Sequence, residues 1–122
     1  MDDQIRRALL QDRLIDITTT GRASGQPRRK EIWFHNLDGA VYITGIPGRR
    51  DWYANLIANP AFTFHLKQSV SADLNARAVP VSDTNARRSI LSVILRRLDR
   101  EAELKRWVAE SPLVAVEFKD PQ

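Results

Sequence analysis

The chain has no cysteine, which removes disulfides, thiolate catalysis and cysteine-type zinc sites together. Histidine is nearly as scarce. His35 and His65 stand on separate strand-like segments, with no metal-ligand spacing between them and no companion serine or aspartate in a recognisable motif. Both read as structural, so metal binding and acid–base or nucleophilic catalysis find no support. No apolar run approaches the ~18 residues of a membrane-spanning helix. The start, Met1-Asp2-Asp3-Gln4, lacks the basic-then-apolar order of a secretory signal. A cytoplasmic protein with no membrane span is the expectation. Repeats, low-complexity tracts and linkers are also missing, and 122 residues suffice for one cored domain, 1–122, without staples.

What is present is positive charge. The net charge is +4 and the pI about 10.0, which favours anionic ligands. Two stretches hold most of it. One is the helix-like segment bearing Arg87, Arg88, Arg96, Arg97 and Arg106, which reads as a solvated helix face. No helix-turn-helix, RNA-recognition or zinc-finger pattern accompanies it, so nucleic acid is not an expected partner. The other is Thr18-Thr19-Thr20-Gly21-Arg22-Ala23-Ser24-Gly25-Gln26-Pro27-Arg28-Arg29-Lys30. Four cations and no acid lie between Ile17 and Lys30. Glycines allow a turn with φ > 0 and exposed N–H groups, while hydroxyls and guanidinium groups add charge-assisted donors. This is the chemistry of a phosphate cradle between two strands; a hairpin with a solvated basic tip is the competing reading.

Periodicity predicts the framework. Residues from Asp2 or Asp3 to Gln11 form a short helix with Ile5, Leu9 and Leu10 on its apolar side. Strand chemistry marks Leu14–Thr20, Arg28–Leu37 and Ala40–Gly45, the last two joined by the hairpin signal Asp38-Gly39. Arg28–Leu37 carries apolar residues on both sides, so it is expected to be covered on each face. Gly45-Ile46-Pro47-Gly48-Arg49-Arg50 is a second glycine-rich bend. Asp51 caps a helix Trp52–Asn59, which Pro60 stops. Ala61–Lys67 points Phe62, Phe64 and Leu66 inward and Thr63, His65 and Lys67 outward; 72–81 is a further strand, with Pro80 at its end. A helix runs from Asp83 or Thr84 to about Ala109 with a break near Asp99, its stripe being Ile90, Ile94, Leu98, Leu104 and Trp107 or Val108. Leu113–Phe118 closes the chain. The class is α+β, mainly β: about six mostly antiparallel strands curled into a small barrel with flanking helices.

The order Thr-Thr-Thr-Gly-Arg-x-Ser-Gly-x-Pro-Arg, then Glu31-Ile32-Trp33-Phe34, Asp-Gly, Gly45 to Gly48 and Trp52-Tyr53-Ala54-Asn55-Leu56-Ile57-Ala58-Asn59-Pro60 resembles the flavin/deazaflavin oxidoreductase family. This is the deazaflavin-dependent nitroreductase group, which shares a split β-barrel with pyridoxamine 5'-phosphate oxidases. The resemblance is detailed over Leu14–Lys67 and topological beyond. It implies a cytoplasmic oxidoreductase that binds coenzyme F420, or as the alternative FMN, in a groove completed by a second copy. Hydride then passes to a small electrophilic acceptor such as a quinone, nitroaromatic or enone. It also implies cofactor contacts from Arg22, Ser24, Gly25, Pro27, Arg28 and Arg29 in the first bend, and from Lys30 and Glu31 beside the ring. Thr44, Gly45 and Ile46 would approach the ring edge, with Trp52 and Asn55 completing the site. Charge adds Arg49 and Arg50, and Tyr53 is a candidate donor to the acceptor. The chain departs from the nitroreductase branch at Ala23, where many members have lysine, and at Glu31-Ile32 and Gly45-Ile46; Trp33-Phe34 looks closer to flavin users. A barrel that merely carries a flavin, haem-like or lipid ligand is the non-enzymatic alternative.

Overall fold

The structure is a computed structural model that describes residues 1–119. Seven strands, β1 Leu14–Thr20, β2 Pro27–Trp33, β3 His35–Leu37, β4 Ala40–Thr44, β5 Ala61–Leu66, β6 Ala72–Pro80 and β7 Leu113–Phe118, form one sheet in the order β2-β1-β5-β6-β7-β4-β3. Every neighbouring pair is antiparallel. The two edge strands β2 and β3 are separated in sequence by one residue, Phe34. The sheet therefore curls until its edges meet along a single stretch of chain, giving a half-barrel split at Phe34. Helices α1 Asp3–Gln11, α2 Asp51–Ala58, α3 Thr84–Leu98 and α4 Leu104–Glu110 flank it.

The expected single strand Arg28–Leu37 is thus two. Phe34 is 1% exposed, and its ring meets Phe64 edge-on at 5.2 Å. Its N–H adds one further rung to the β1–β2 ladder, to the Arg13 carbonyl at 2.9 Å, and the chain leaves β1 after it. Burying that ring bends the strand away from β1 and sends His35–Leu37 to β4. Nor is β2 covered on both faces: six of its seven residues are exposed and Ile32 alone is half-buried.

Inside the curl lie Ile15, Ile17, Phe62, Phe64, Leu66, Leu74, Ala76, Val41, Ile43, Val114 and Val116, with Trp52 and Leu56 of α2 closing one end. Leu9 belongs to this core, whereas Leu10 is 66% exposed. The Asp38-Gly39 turn has φ of 53° and 96°, the double positive φ that a tight hairpin asks of its central pair. Asp99 adopts φ 59° and ends α3, and a 3-10 turn Glu101–Glu103 leads into α4. The apolar stripe sits slightly round the helix from its expected place. Leu91, Ile94 and Leu95 are fully buried while Ile90 and Leu98 are half-buried. Leu91 and Leu95 pack with Trp107, Val108 and Leu113 in a second small core.

His65 points outward, as expected, and is structural. It is on the outer face but only 6% exposed, held between Thr18 Oγ1 and Asp73 Oδ1 at 2.7 Å each. The chain of bonds crosses β1, β5 and β6.

Candidate functional site

The first bend is built by its own backbone. Gly21 N–H donates to the Gln26 carbonyl at 2.8 Å and Gly25 N–H to the Gly21 carbonyl at 2.9 Å. Gly25 has φ 70°, where a side chain would be strained. Ser24 Oγ accepts from Gln26 N–H at 3.1 Å and from Arg28 Nη2 at 3.3 Å. A Cβ on Gly21 would stand 2.5 Å from that hydroxyl, so any larger residue there would displace the Ser24 side chain from its two hydrogen bonds.

Helix α2 clamps this bend. Asn55, 4% exposed, accepts from Arg22 N–H at 3.1 Å and Arg22 Nη1 at 2.9 Å through one carbonyl oxygen, and donates to Thr19 Oγ1 at 3.3 Å. Arg22 Nη2 reaches Asp51 Oδ1 at 3.2 Å. That corrects the expected cap. Asp51 is the first helical residue, the N-cap is Arg50 without a side-chain bond, and the Asp51 carboxylate goes to Arg22. The first-turn N–H groups of α2 therefore have no side-chain cap, and the Asp51 carboxylate within that turn offsets part of their positive end.

The second bend lies against the other side of Trp52. A Cβ on Gly45 would be 3.7 Å from the indole and 4.0 Å from Arg50 Nε; one on Gly48, which has φ 122°, would be 3.3 Å from Arg50 Nη1. The two glycines thus leave room for the Arg50 side chain, which bonds the Arg49 carbonyl at 2.8 Å. Gly48 N–H donates to the Glu110 carbonyl and Thr44 Oγ1 to the Pro112 carbonyl, anchoring the bend to the end of α4. Ile46 is exposed.

Between the first bend, the inner face of β1 and β2, and α2 is a groove of about 330 Å³ lined by Thr19, Arg22, Ser24, Arg28, Lys30, Asp51, Trp52 and Asn55 among others; the expected Gly45, Ile46 and Arg50 of the second bend are not part of its lining. Six of the residues expected at a cofactor are therefore brought together. Strand alternation divides their neighbours. Arg28 and Lys30 face the groove, whereas Arg29 bonds Asp16 at 2.9 Å on the opposite face of the sheet, and Glu31 pairs with Lys67, which also holds Asp16 at 2.7 Å. These hydrogen bonds from Lys67 and Arg29 hold the Asp16 carboxyl below its usual range, and those to Asp16 and Glu31 push Lys67 up. Gly25 and Pro27 line an outer-face depression with Thr18 and Thr63. Arg49 and Tyr53 line a separate cavity of about 460 Å³ beyond the second bend, beside Ser111 and Pro112. Thr44 is buried with its hydroxyl engaged.

Sequence reasoning missed Thr19 and Ile17 as groove residues. Counting the alternation of β1 from Ile15 would have found both, since 15, 17 and 19 share the inner face. Among the described residues no group of three or more histidine, aspartate or glutamate side chains is placed to hold a metal.

The model of the F420H2-dependent quinone reductase family matches residues 4–119, nearly the whole chain. The chain belongs to that family. Solved structures agree on the fold. A conserved hypothetical protein from Mycobacterium tuberculosis superposes with a TM-score of 0.78 at 15% identity, over 98% of this chain and 82% of the other. A Listeria innocua protein provisionally described as a pyridoxamine 5'-phosphate oxidase gives 0.72 at 14%, over 97% and 93%. The haem storage protein HutZ of Vibrio cholerae gives 0.72 at 14%, over 98% and 91%. Identities this low speak for the split-barrel fold alone.

For a member of the F420H2-dependent quinone reductase family the groove has suitable donors. Among the described residues Arg28 and Lys30 have no carboxylate partner, and both face the same space as the Ser24 hydroxyl and the wall formed by Trp52. Cations left unpaired beside a half-apolar groove fit a phosphorylated planar ligand.

Proposed function

We propose that the protein is an F420-dependent reductase that passes a hydride to a small electrophilic acceptor, a quinone ahead of nitroaromatics and enones. The observation that carries this reading is the pair of cations without a carboxylate partner, Arg28 and Lys30, in a groove whose first bend is held by α2. Bound there, reduced F420 supplies the hydride, and the protein supplies binding and orientation. Arg28, Lys30 and Arg22 would take the phosphate end, assisted by the positive end of α2. Trp52 and Ile17 offer apolar walls to a planar ring.

Holding the acceptor against the ring replaces a bimolecular encounter by a near-attack geometry, which needs no dedicated acid–base pair. Tyr53, at the far side of the second bend, is the candidate donor to negative charge developing on an acceptor oxygen. The exposed first part of the edge strand β2, Pro27–Glu31, supports a homodimer in which a second copy covers it.

The decisive experiment titrates purified apoprotein with F420 and with FMN, reading ring fluorescence, and then adds a 1,4-naphthoquinone to the reduced complex without oxygen. Tighter binding of F420 and its reoxidation by the quinone are expected. Preference for FMN with turnover moves the assignment to a flavin reductase of the same fold. A complex that stays reduced with every acceptor removes the enzyme reading and leaves a carrier barrel.

A further inference from the structure

At the split of the barrel, where β2 gives way to β3, a second cavity of about 290 Å³ opens between the end of α1, the end of α3 and residues Trp33–Asn36. It lies at the far end of β2 from the first bend, and a seven-residue strand spans roughly 20 Å. The two cavities share no lining residue.

His35 lines this cavity and is only 8% exposed. Among the described residues neither of its ring nitrogens has a hydrogen-bond partner, and neither is among the sealed, unpartnered atoms of the core, so both retain access to the cavity. Buried polar groups are nearly always satisfied, and one left open to a cavity marks a place for a ligand atom. Two guanidinium groups flank it. Arg13 makes no side-chain hydrogen bond or ion pair among the described residues, and Arg97 bonds only the Asn36 carbonyl, at 2.8 Å. The single carboxylate at the rim, Asp12, is engaged by Ser69 N–H and Oγ at 3.1 and 3.0 Å. Burial first, and then Arg97 and Arg13, push the His35 pKa down to about 4, so at neutral pH the ring offers one donor and one acceptor. Two apolar side chains stand exposed beside these polar groups: Leu10 is 66% exposed and Trp33 48%.

We propose that this cavity is a binding site for a small aromatic carboxylate, with Arg13 and Arg97 taking the carboxylate, His35 hydrogen-bonding a polar ring substituent, and Trp33 and Leu10 covering the ring face. The site is independent of the cofactor groove and of the reading given to it. Two cations, neither paired with a carboxylate and outnumbering the one carboxylate at the rim, select an anion; an exposed indole beside them selects a flat apolar body over inorganic phosphate.

The test is calorimetric titration of the full chain with 3-hydroxy-2-naphthoate at neutral pH, with and without saturating F420. Saturable binding unaffected by F420 is expected, at least about tenfold weaker for 2-naphthol and for inorganic phosphate, which each lack half of the recognition. The double variant R13Q/R97Q should lose about a hundredfold in affinity, and Trp33→Ala about tenfold. Amide NMR shifts on titration should concentrate at Arg13 and at residues 33–36, a readout that needs no variant to fold. Overturning results are non-saturable binding, affinity unchanged in R13Q/R97Q, shifts centred on residues 21–28, or competition with F420, which would place the ligand in the other groove.

Discussion

One carbonyl oxygen of Asn55 accepts both the backbone N–H and the guanidinium of Arg22, at 3.1 and 2.9 Å. This single contact ties the first bend to the helix that follows the second. Because Asn55 also donates to Thr19 inside the core, its position is fixed by packing, and the bend inherits that rigidity. Asn55→Ala leaves Arg22 N–H and the Thr19 hydroxyl without their partner. The expected cost is about 1–3 kcal/mol of stability by urea unfolding. Cofactor affinity should fall further than for a surface variant of equal stability, because the bend is then ordered only on binding.

Strand alternation separates two adjacent arginines. Replacing Arg28 and Ser24 together with alanine should weaken F420 binding by roughly 2–4 kcal/mol, because both face the groove. Arg29→Ala should leave affinity within about a factor of two, since Arg29 is engaged with Asp16 on the other side of the sheet. Fluorescence titration of the two variants measures the difference. Equal losses would mean that the outer face also meets the cofactor, as a second copy could arrange.

Most of the framework was legible because it is local. The Ile and Thr run of β1, the Asp38-Gly39 turn and Pro80 at the end of β6 each act within a few residues. Reading failed where a distant partner decided. Phe34 ends its strand because its ring is buried against Phe64, which is far from it in sequence. His65 reads as outward and structural in the sequence, but its partners Thr18 and Asp73 come to it across three strands and were not legible. The site divides in the same way. Arg22, Ser24 and Arg28 sit in a motif that announces itself, whereas sorting Arg28 and Lys30 from Arg29 and Glu31 needed the register of β2, which depends on where Phe34 ends it.

His35 makes stability pH-dependent in a window of its own. Its proton is bound near pH 6.5 in the unfolded chain and only near 4 in the folded one, chiefly because of burial. The folded state therefore binds fewer protons between these values. Its stability is full above 6.5 and falls as pH drops toward 4. Between pH 7.5 and 4.5 the loss from this group should be about 2.5 kcal/mol. His35→Gln should flatten that part of the profile in urea unfolding. The lowered carboxyl of Asp16 acts only below its ordinary value of 3.8, outside this window, so it does not mask the effect. A parallel decline in His35→Gln would assign the loss to other groups.

Arg87 answers the question of what the basic helix does. Its guanidinium is buried and donates to four carbonyls: Val108 at 2.8 Å, Val81 at 2.9 Å, Trp107 at 3.2 Å and Ser111 at 2.6 Å. Three of these belong to the end of α4 and the residue after it, where unpaired carbonyls carry the negative end of the helix. The same turn holds the second bend, through the Glu110 carbonyl and Gly48 N–H. Removing the guanidinium strands several buried acceptors at once, so Arg87→Met should cost about 3 kcal/mol or more. Arg87→Lys keeps the charge but lacks the planar fork, and should recover only part of that loss. The second readout is the Gly48 amide. Its hydrogen exchange should quicken in Arg87→Met beyond what the fall in global stability requires, because its acceptor lies on the loosened turn. Unchanged stability in Arg87→Met would return this arginine to the solvated face that the sequence suggested.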